Sequence, residues 1–216
     1  MTSPRGFVLH RTRLRPVPGL ESLRLQLADE VLPLWHAVQV ETGDPDAALP
    51  YWAFAWSGGL AIAHFLAERP ETVTGRRVLD LGCGSGLCAI AAASAGATTV
   101  TAVDIDPYAV AAVALNARAN GVRVTAVGRD ILDDPVPDVD VILAGDCWYE
   151  GGLADRVMPW LRAARDAGVD VLLGDPRRRY LATDGLTELA SYDVRTTTEL
   201  EDLDYKRSWV YALRDA

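Results

Sequence analysis

The sequence predicts an α/β protein built on a doubly wound, largely parallel sheet, and three observations support this fold class. Apolar runs of strand length alternate with helical segments from about residue 76 to residue 190. Glycines stand at every second position directly after the first of these runs. Two extended runs then close the chain and break the alternation. With 216 residues and an apolar fraction of 50%, the chain can bury the core of one domain.

The glycines belong to the segment Val78 to Gly86, which reads VLDLGCGSG. Its apolar start predicts a strand, and residues 87–95 predict a helix whose first N–H groups face the end of that strand. A dinucleotide-binding loop would need a small residue where this chain has Leu87. Asp80 would also repel a pyrophosphate, whereas it suits a cation. The segment therefore favours a cationic, nucleoside-like cofactor over a dinucleotide.

The other elements of the sheet follow from the same alternation. Strands are expected near residues 76–81, 99–104, 122–128, 139–145 and 169–174. Helices are expected near residues 87–95, 107–119, 150–167 and 183–190. Asp106 and Pro107 suit the cap and the first position of the helix over 107–119. Tyr192 to Leu200 and Arg207 to Leu213 predict two strands that pair antiparallel across the acidic segment Glu201 to Asp204.

The N-terminal quarter precedes the sheet. Residues 7–18 contain two prolines and predict an irregular arm. Apolar residues recur at helical spacing over residues 21–40, where Pro33 should kink or split the helix. Residues 41–50 predict a loop, and Ser57 is a candidate cap for a helix that ends near residue 68.

An aromatic cluster, Tyr51 to Trp56, lies just before that helix. Trp52 and Phe54 are expected to pack in the core. Trp56 stands at the helix entry that leads to the glycine segment, so its ring is expected to contact the cofactor. A ring face near a cation would gain about 0.5–2 kcal/mol.

Composition limits the function classes. The net charge of −9 disfavours nucleic acid as a partner, because phosphate contacts need a basic surface. The chain contains no apolar run of 18 residues, and residues 1–19 carry arginines and prolines where a signal peptide would be apolar. Cys83, Cys88 and Cys147 lack zinc spacing and are too few for a disulfide framework. We expect a cytoplasmic monomer with no metal site and no membrane partner.

The glycine segment resembles the first motif of the class I, seven-stranded methyltransferases that use S-adenosyl-L-methionine. Asp80, Gly82, Gly84 and Gly86 carry the resemblance, and a second strand that ends in Asp104 continues it. The resemblance implies a Rossmann-like sheet of strand order 3-2-1-4-5-7-6 with the last pair antiparallel. It also implies S-adenosylmethionine as cofactor and S-adenosylhomocysteine as product. Residues 51–216 would form the methyltransferase domain, and residues 1–50 an arm and helix packed on it within one compact unit.

The same resemblance suggests how the cofactor is held. Asp104 follows the glycines by about 20 residues, the spacing of a ribose-binding acid in related folds. Asp130 stands where the family places an acid that accepts a hydrogen bond from the adenine amino group. The candidate cofactor-binding residues are Trp56, Asp80, Gly82, Cys83, Gly84, Gly86, Asp104, Ile105, Asp130, Ile131 and Gly145.

A narrower resemblance covers nearly the whole chain. It is to the protein-lysine methyltransferases that modify the β subunit of electron-transfer flavoprotein. The segments that carry it are residues 51–59, the glycine segment, residues 143–150, residues 174–176 with Tyr180 and Leu181, and residues 200–210. One departure bears on the substrate: the branch has Gly-Arg-Ala where this chain has Arg177, Arg178 and Arg179.

The candidate catalytic residues are Asp146, Trp148 and Tyr149. They follow the fourth strand, which borders the point where the strand order reverses and where ligands bind in such sheets. They match the acid-x-x-aromatic motif of lysine and histidine methyltransferases, which implies that the acceptor nitrogen lies there. Trp148 and Tyr149 would form a slot for an alkyl chain. A purely structural alternative is that Asp146 caps the helix that begins near Glu150.

Only a neutral amine has the lone pair that methyl transfer needs. Deprotonation of a lysine with a pKa of about 10.4 at pH 7 costs about 4.6 kcal/mol. A carboxylate raises that pKa, but it also stabilises the positive charge that builds on nitrogen during transfer. Asp146 is therefore expected to orient and stabilise the amine rather than to act as a strong general base.

Three other functions remain open from the sequence. The acceptor could be a small amine or a pyridine-type nitrogen, since one sequence does not separate it from protein lysine. A binding module could retain the cofactor fold without turnover, although Asp80, Asp104 and Asp146 are all present. A nicotinamide oxidoreductase is disfavoured by Leu87 in the glycine loop.

Overall fold

The computed structural model describes residues 2–196 and 204–214. The helices are α1 (Pro4–Arg11), α2 (Val31–Thr42), α3 (Ser57–Glu68), α4 (Leu87–Ser94), α5 (Pro107–Ala119) and α6 (Gly151–Asp166). The strands are β1 (Arg13–Val17), β2 (Leu20–Leu27), β3 (Arg77–Leu81), β4 (Thr99–Asp104), β5 (Thr125–Gly128), β6 (Val141–Gly145), β7 (Asp170–Asp175), β8 (Leu186–Arg195) and β9 (Tyr205–Leu213). The expected acidic turn lies largely outside the described residues, since only Asp204 of it is described.

The main sheet has the order β5-β4-β3-β6-β7-β9-β8. Strands β3 to β7 run parallel to one another, and β9 pairs antiparallel with both β7 and β8. Numbered within the sheet, this order is 3-2-1-4-5-7-6, which confirms the expected Rossmann-like, doubly wound topology. The strand order reverses between β3 and β6, whose neighbours β4 and β7 lead away on opposite sides.

The prediction of a helix over residues 183–190 is wrong. Leu186–Arg195 is an edge strand that pairs with β9. Its register shifts between Glu188 and Ala190, so the two-residue alternation that marks a strand is interrupted. Pairing with β9 outweighs the helical propensity of the short Leu-Thr-Glu-Leu-Ala run.

The N-terminal expectations also need correction. The arm contains a helix, because the Ser3 side chain caps α1 by accepting a hydrogen bond from Gly6 N and Pro4 occupies its first turn. Residues 20–27 form a strand in a hairpin with β1. Only Val31–Thr42 is helical, and Pro33 lies in its first turn, where the missing N–H breaks no helical hydrogen bond.

The hairpin is tied to the glycine loop through α5. Gln26 N donates to Asn116 Oδ1 at 2.7 Å, and Asn116 Nδ2 donates to Ser85 O at 2.9 Å. Asn116 is fully buried, so each of these bonds offsets the desolvation of a polar group. Residues 2–50 therefore pack on the helix that supports the glycine loop, while the division at residue 50 stays a prediction.

Helix α3 lies directly against the sheet. A Cβ built on Gly58 would lie 2.2 Å from Gly174 O, and the reverse distance is the same. Two glycines are thus required for the backbones to meet, and this contact holds the start of α3 beside the ends of β6 and β7. Ser57 is the first residue of α3 rather than its cap, a position that Trp56 takes. Within the described part of the chain, no helix is both long and apolar enough to cross a bilayer.

Candidate active site

A cavity of about 430 Å³ opens at the carboxyl ends of the parallel strands, where the strand order reverses. This volume is in the range of small-molecule sites. Most predicted site residues line it together: Trp56, Asp80, Gly82, Cys83, Gly84, Asp104, Ile105, Asp130, Ile131, Gly145, Asp146 and Tyr149. Gly86 and Trp148 do not line it.

The glycine loop forms the floor of the cavity. Gly82, Gly84 and Gly86 all have positive φ (63°, 49° and 79°), a conformation that side chains rarely adopt. A Cβ on Gly86 would also lie 2.9 Å from Val113 Cγ2 on α5. Gly86 therefore caps α4 and packs against α5, while its expected contact with the cofactor stays a prediction.

Asp80 lies beneath this loop and is almost fully buried. Its Oδ2 accepts a hydrogen bond from Ala89 N of α4 at 2.9 Å. Burial raises the pKa of Asp80 to about 7, because a charged carboxylate is poorly solvated there. A cation bound in the cavity would favour the ionised form.

Asp104 ends β4 beside the loop. Its Oδ2 accepts from Gly84 N at 2.9 Å and its Oδ1 from Asp106 N at 3.0 Å. These bonds lower the pKa of Asp104 less than burial raises it. Asp106 caps α5 as expected, accepting from Tyr108 N at 2.7 Å. Ile105 between them is 75% exposed, so its apolar side chain stands at the cavity rim.

Asp130 lies on the opposite wall. It forms an ion pair with Arg156 of α6 at 2.8 Å, and this arginine holds the pKa of Asp130 below its usual range. Asp130 Oδ1 also accepts from Leu132 N, while Ile131 is buried behind it. Arg156 also lines the cavity, but no local sequence pattern predicts this, because 26 residues separate Arg156 from Asp130.

Asp146 is fixed by contacts with two elements, α3 and β7. Its Oδ1 accepts from Gly58 N at 3.0 Å and its Oδ2 from Gly59 N at 2.7 Å, both at the start of α3. Its own φ is 59°, and its N donates to Gly174 O of β7 at 2.9 Å. The Asp146 side chain therefore satisfies the first N–H groups of α3, whose cap residue is Trp56. The expected structural alternative was that Asp146 caps the helix near Glu150, but the cap of that helix is Glu150 itself.

Arg178 and Asp175 complete this corner. Arg178 Nη1 lies 2.5 Å from Asp146 Oδ1 and 3.5 Å from Asp175 Oδ2. Arg178 N also donates to Asp175 Oδ1 at 2.6 Å. Burial raises the pKa of Asp175, which is fully buried, to about 6. The sequence singles out the three-arginine run in this loop, but it does not predict the contact of Arg178 with Asp146. That contact depends on the register of β6 and β7.

Aromatic rings form the mouth of the cavity. The Tyr51 ring lies 4.8 Å from the Tyr149 ring and 5.6 Å from the Trp56 ring, measured between centroids. Trp56 Nε1 donates to Tyr51 O at 2.9 Å, which fixes both residues. Trp52 and Phe54 are buried as expected, and each also contributes to the cavity wall. Burial raises the pKa of Tyr149, so its phenol stays protonated at neutral pH.

The expected role of Trp148 in an acceptor slot is wrong. Its side chain is 0% exposed and belongs to the apolar cluster between the sheet and α6. Tyr149, the next residue, is 43% exposed and faces the cavity. Consecutive residues leaving a strand point in different directions, and the motif alone does not say which ring faces the ligand.

The residues present fit S-adenosylmethionine. Asp80 and Asp104 supply carboxylates, the glycine loop allows close backbone approach, and the aromatic mouth suits a cationic sulfonium. The arginines that line the cavity are Arg129, Arg156 and Arg178, and each is paired with an aspartate. This balance of charge suits a cationic ligand better than a pyrophosphate.

Comparison with known proteins agrees with this geometry. The model of the ribosomal protein L11 methyltransferase (PrmA) family matches residues 65–145. In structure, the chain is similar to the 16S rRNA N2 G1207 methyltransferase of T. thermophilus, with a TM-score of 0.59 and 20% identity over 95% of this chain and 50% of that one. Both comparisons therefore support the fold of the seven-stranded methyltransferase class.

Two relatives are closer in sequence. The electron transfer flavoprotein beta subunit lysine methyltransferase of Xenopus laevis is 36% identical over 98% of this chain and 87% of its own length. The protein of the same name from Danio rerio is 44% identical over 60% of this chain and 51% of its own length. The chain belongs to the family of electron transfer flavoprotein beta subunit lysine methyltransferases. The resemblance predicted from the sequence is thereby confirmed.

Proposed function

We propose that this enzyme methylates lysine side chains of a protein, namely the β subunit of electron-transfer flavoprotein in its own cell. The observation that carries the proposal is the 36% identity to the Xenopus laevis lysine methyltransferase across 98% of this chain. The identity of the acceptor is therefore inferred from the family, and the lining of the cavity supplies the chemical support for an alkyl amine.

On the cofactor side, Asp80 and the backbone of Gly82 and Gly84 would hold the cationic end of S-adenosylmethionine, and Asp104 the ribose hydroxyls. Asp130 would accept from the adenine amino group, although its ion pair with Arg156 competes for the same oxygen. When bound, S-adenosylmethionine would supply a methyl carried on a positively charged sulfur.

On the acceptor side, Tyr51 and Tyr149 would enclose the lysine stem, since their rings lie together at the mouth. Asp146 lines the same cavity with a side chain that is only 11% exposed, and it would orient the nitrogen and stabilise its growing positive charge. The lysine must reach this point as a neutral amine, which at pH 7 costs about 4.6 kcal/mol for a free side chain. Partial exclusion of water by the aromatic mouth lowers that cost, because burial disfavours the charged form.

We also propose that the protein is a cytoplasmic monomer that does not bind nucleic acid. Cys83, Cys88 and Cys147 are buried free thiols, which suits a reducing compartment. The net charge of −9 and the pairing of the cavity arginines with aspartates disfavour a phosphate backbone.

The test uses the purified protein, S-adenosylmethionine and the purified β subunit of electron-transfer flavoprotein. We expect the subunit to gain mass in steps of one methyl group, with tandem mass spectrometry placing every gain on lysine. Labelled cofactor added to a cell lysate provides the competing outcome. Label found only in small metabolites, with the β subunit unmodified, would reject the protein acceptor.

A further inference from the structure

Arg178 sits between two carboxylates at the point where the acceptor nitrogen is proposed to lie. We infer that Arg178 is a positioning residue that offsets the charge of Asp146, so that the site accepts the lysine as a neutral amine. The inference rests on the proposed function, since it concerns the acceptor side of the same cavity.

The contacts of Arg178 fix it in this corner. Its Nη1 lies 2.5 Å from Asp146 Oδ1 and 3.5 Å from Asp175 Oδ2, while its backbone N donates to Asp175 Oδ1. The Arg178 and Asp146 side chains are only 19% and 11% exposed. Breaking the pair would leave a poorly solvated charge, so the contact is expected to persist when the acceptor enters.

The charged and titratable groups around this pair come from six elements. They are Asp146 and Cys147 after β6, Asp175 of β7, Tyr51 of the short helix before α3, Glu150 at the cap of α6, Cys88 of α4, and Arg178 itself. The N–H groups of Gly58 and Gly59 add the positive end of α3. Among these described groups, Arg178 is the one that carries a full positive charge.

The electrostatic consequence concerns the acceptor. An isolated carboxylate beside an amine raises the amine pKa by about 1 to 3 units, which makes the reactive neutral form rarer. A guanidinium does not lose its proton at any pH at which an enzyme works. Arg178 therefore opposes the effect of Asp146 on the amine pKa throughout the working range. Asp146 keeps its position and can still accept a hydrogen bond from the nitrogen, while its electrostatic attraction for an ammonium is weaker.

The experiment compares the pH dependence of kcat in the wild-type enzyme, Arg178→Gln and Arg178→Lys. We expect the rising limb of Arg178→Gln to move to higher pH by about 1 unit or more, so that activity lost at pH 7 returns at pH 9. Arg178→Lys restores the positive charge and should keep the wild-type midpoint. Calorimetry with S-adenosylhomocysteine checks that each variant is folded, and Arg178→Met replaces the glutamine variant if that one binds no cofactor.

Arg179→Gln is the matched control. It removes the same charge from the same loop, but Arg179 is exposed, lies over the Tyr180 ring and is outside the cavity. We expect its midpoint to equal that of the wild type. If Arg178→Gln loses activity by the same factor at every pH, the role of Arg178 is structural and the inference is overturned.

A second readout separates this inference from the proposed function. If the wild-type enzyme transfers no methyl to the β subunit, the proposed acceptor fails. The inference is then decided by a carbon NMR titration of the Asp146 carboxyl in the wild type and in Arg178→Gln. Loss of the guanidinium should raise the Asp146 midpoint, and an unchanged midpoint would overturn the inference without any turnover.

Discussion

Asp146 is the residue on which the proposed chemistry depends most. It combines a positive φ, two bonds from the start of α3 and an ion pair with Arg178. Such a conformation costs roughly 1–3 kcal/mol in a residue other than glycine, and the surrounding contacts offset this cost. The side chain is thus held in one position before any ligand enters.

Asp146→Asn should lower kcat by about 100-fold and leave the affinity for S-adenosylhomocysteine within about twofold. The asparagine keeps the shape of the side chain but loses the negative charge that stabilises the reacting nitrogen. Steady-state kinetics and calorimetry measure the two effects. Asp170→Asn, at the other end of β7, is the control and should retain wild-type kcat. An Asp146→Asn enzyme with full turnover would remove Asp146 from the chemistry.

Replacing Trp148 by alanine and replacing Tyr149 by alanine should have different effects on stability and on acceptor binding. Trp148→Ala removes a fully buried ring and should destabilise the protein by about 3–5 kcal/mol in urea unfolding. Tyr149→Ala removes a half-exposed ring at the mouth and should raise KM for the acceptor with a far smaller loss of stability. Equal stability losses in the two variants would contradict the opposite directions assigned to these rings.

Helix α3 is the element that connects the fold to the site. Its first turn meets β7 through Gly58 and Gly174 and donates two N–H groups to Asp146. The position of the acid therefore depends on a backbone contact between two elements that are more than 100 residues apart in the sequence.

Gly58→Ala should unfold or displace α3, because the added Cβ would lie 2.2 Å from Gly174 O. We expect a loss of at least about 3 kcal/mol in unfolding free energy or, if the protein still folds, loss of activity. Gly152→Ala is the matched control, since Gly152 is also the second residue of a helix. A Cβ there would meet only Glu150 Oε1 at 3.6 Å. Normal stability and activity in Gly58→Ala would show that α3 can move without affecting the site.

The elements show where sequence reasoning succeeds and fails. The five parallel strands and the glycine loop could be predicted because apolar runs, turn glycines and the Asp106 cap all act locally. The β1–β2 hairpin could not, since Leu23, Leu27 and Val31 also fit a helical spacing and hide the alternation of β2. The second half of the edge strand β8 agrees with the strand expected from Tyr192, while residues 197–200 of that expectation lie outside the described residues. Its first half, residues 186–191, could not be predicted because the bulge interrupts the alternation. Arg178 and Arg156 reach the cavity only through tertiary packing, so no local pattern marks them.

Across the molecule, buried carboxylates in and beside the cavity are hard to ionise without a ligand. Burial raises the pKa of Asp80 to about 7 and those of Asp106 and Asp175 to about 6. In the pH range between the unfolded and folded pKa values, the folded state binds more protons than the unfolded state. The contribution of these three acids to stability therefore falls as the pH rises from about 4 to about 7 and levels off above that.

The pH dependence gives a direct prediction for the protein without ligand. The contribution of Asp80 to unfolding free energy should fall by about 1.6 kcal/mol between pH 5.5 and pH 7. Asp80→Asn should flatten the measured fall by that amount in urea unfolding, while Asp170→Asn should keep the wild-type slope. A slope that is unchanged in Asp80→Asn would contradict the raised pKa of this buried acid.

We propose that the cavity at the ends of β3, β4 and β6 binds the methyl donor and its product. Calorimetry with S-adenosylhomocysteine tests it most directly in the wild type, Asp104→Ala and Asp170→Asn. We expect one site per chain, an affinity reduced at least about 10-fold by Asp104→Ala, and no change in Asp170→Asn, because Asp104 lines the cavity and Asp170 does not. No heat of binding with folded wild-type protein, or full affinity in Asp104→Ala, would contradict it.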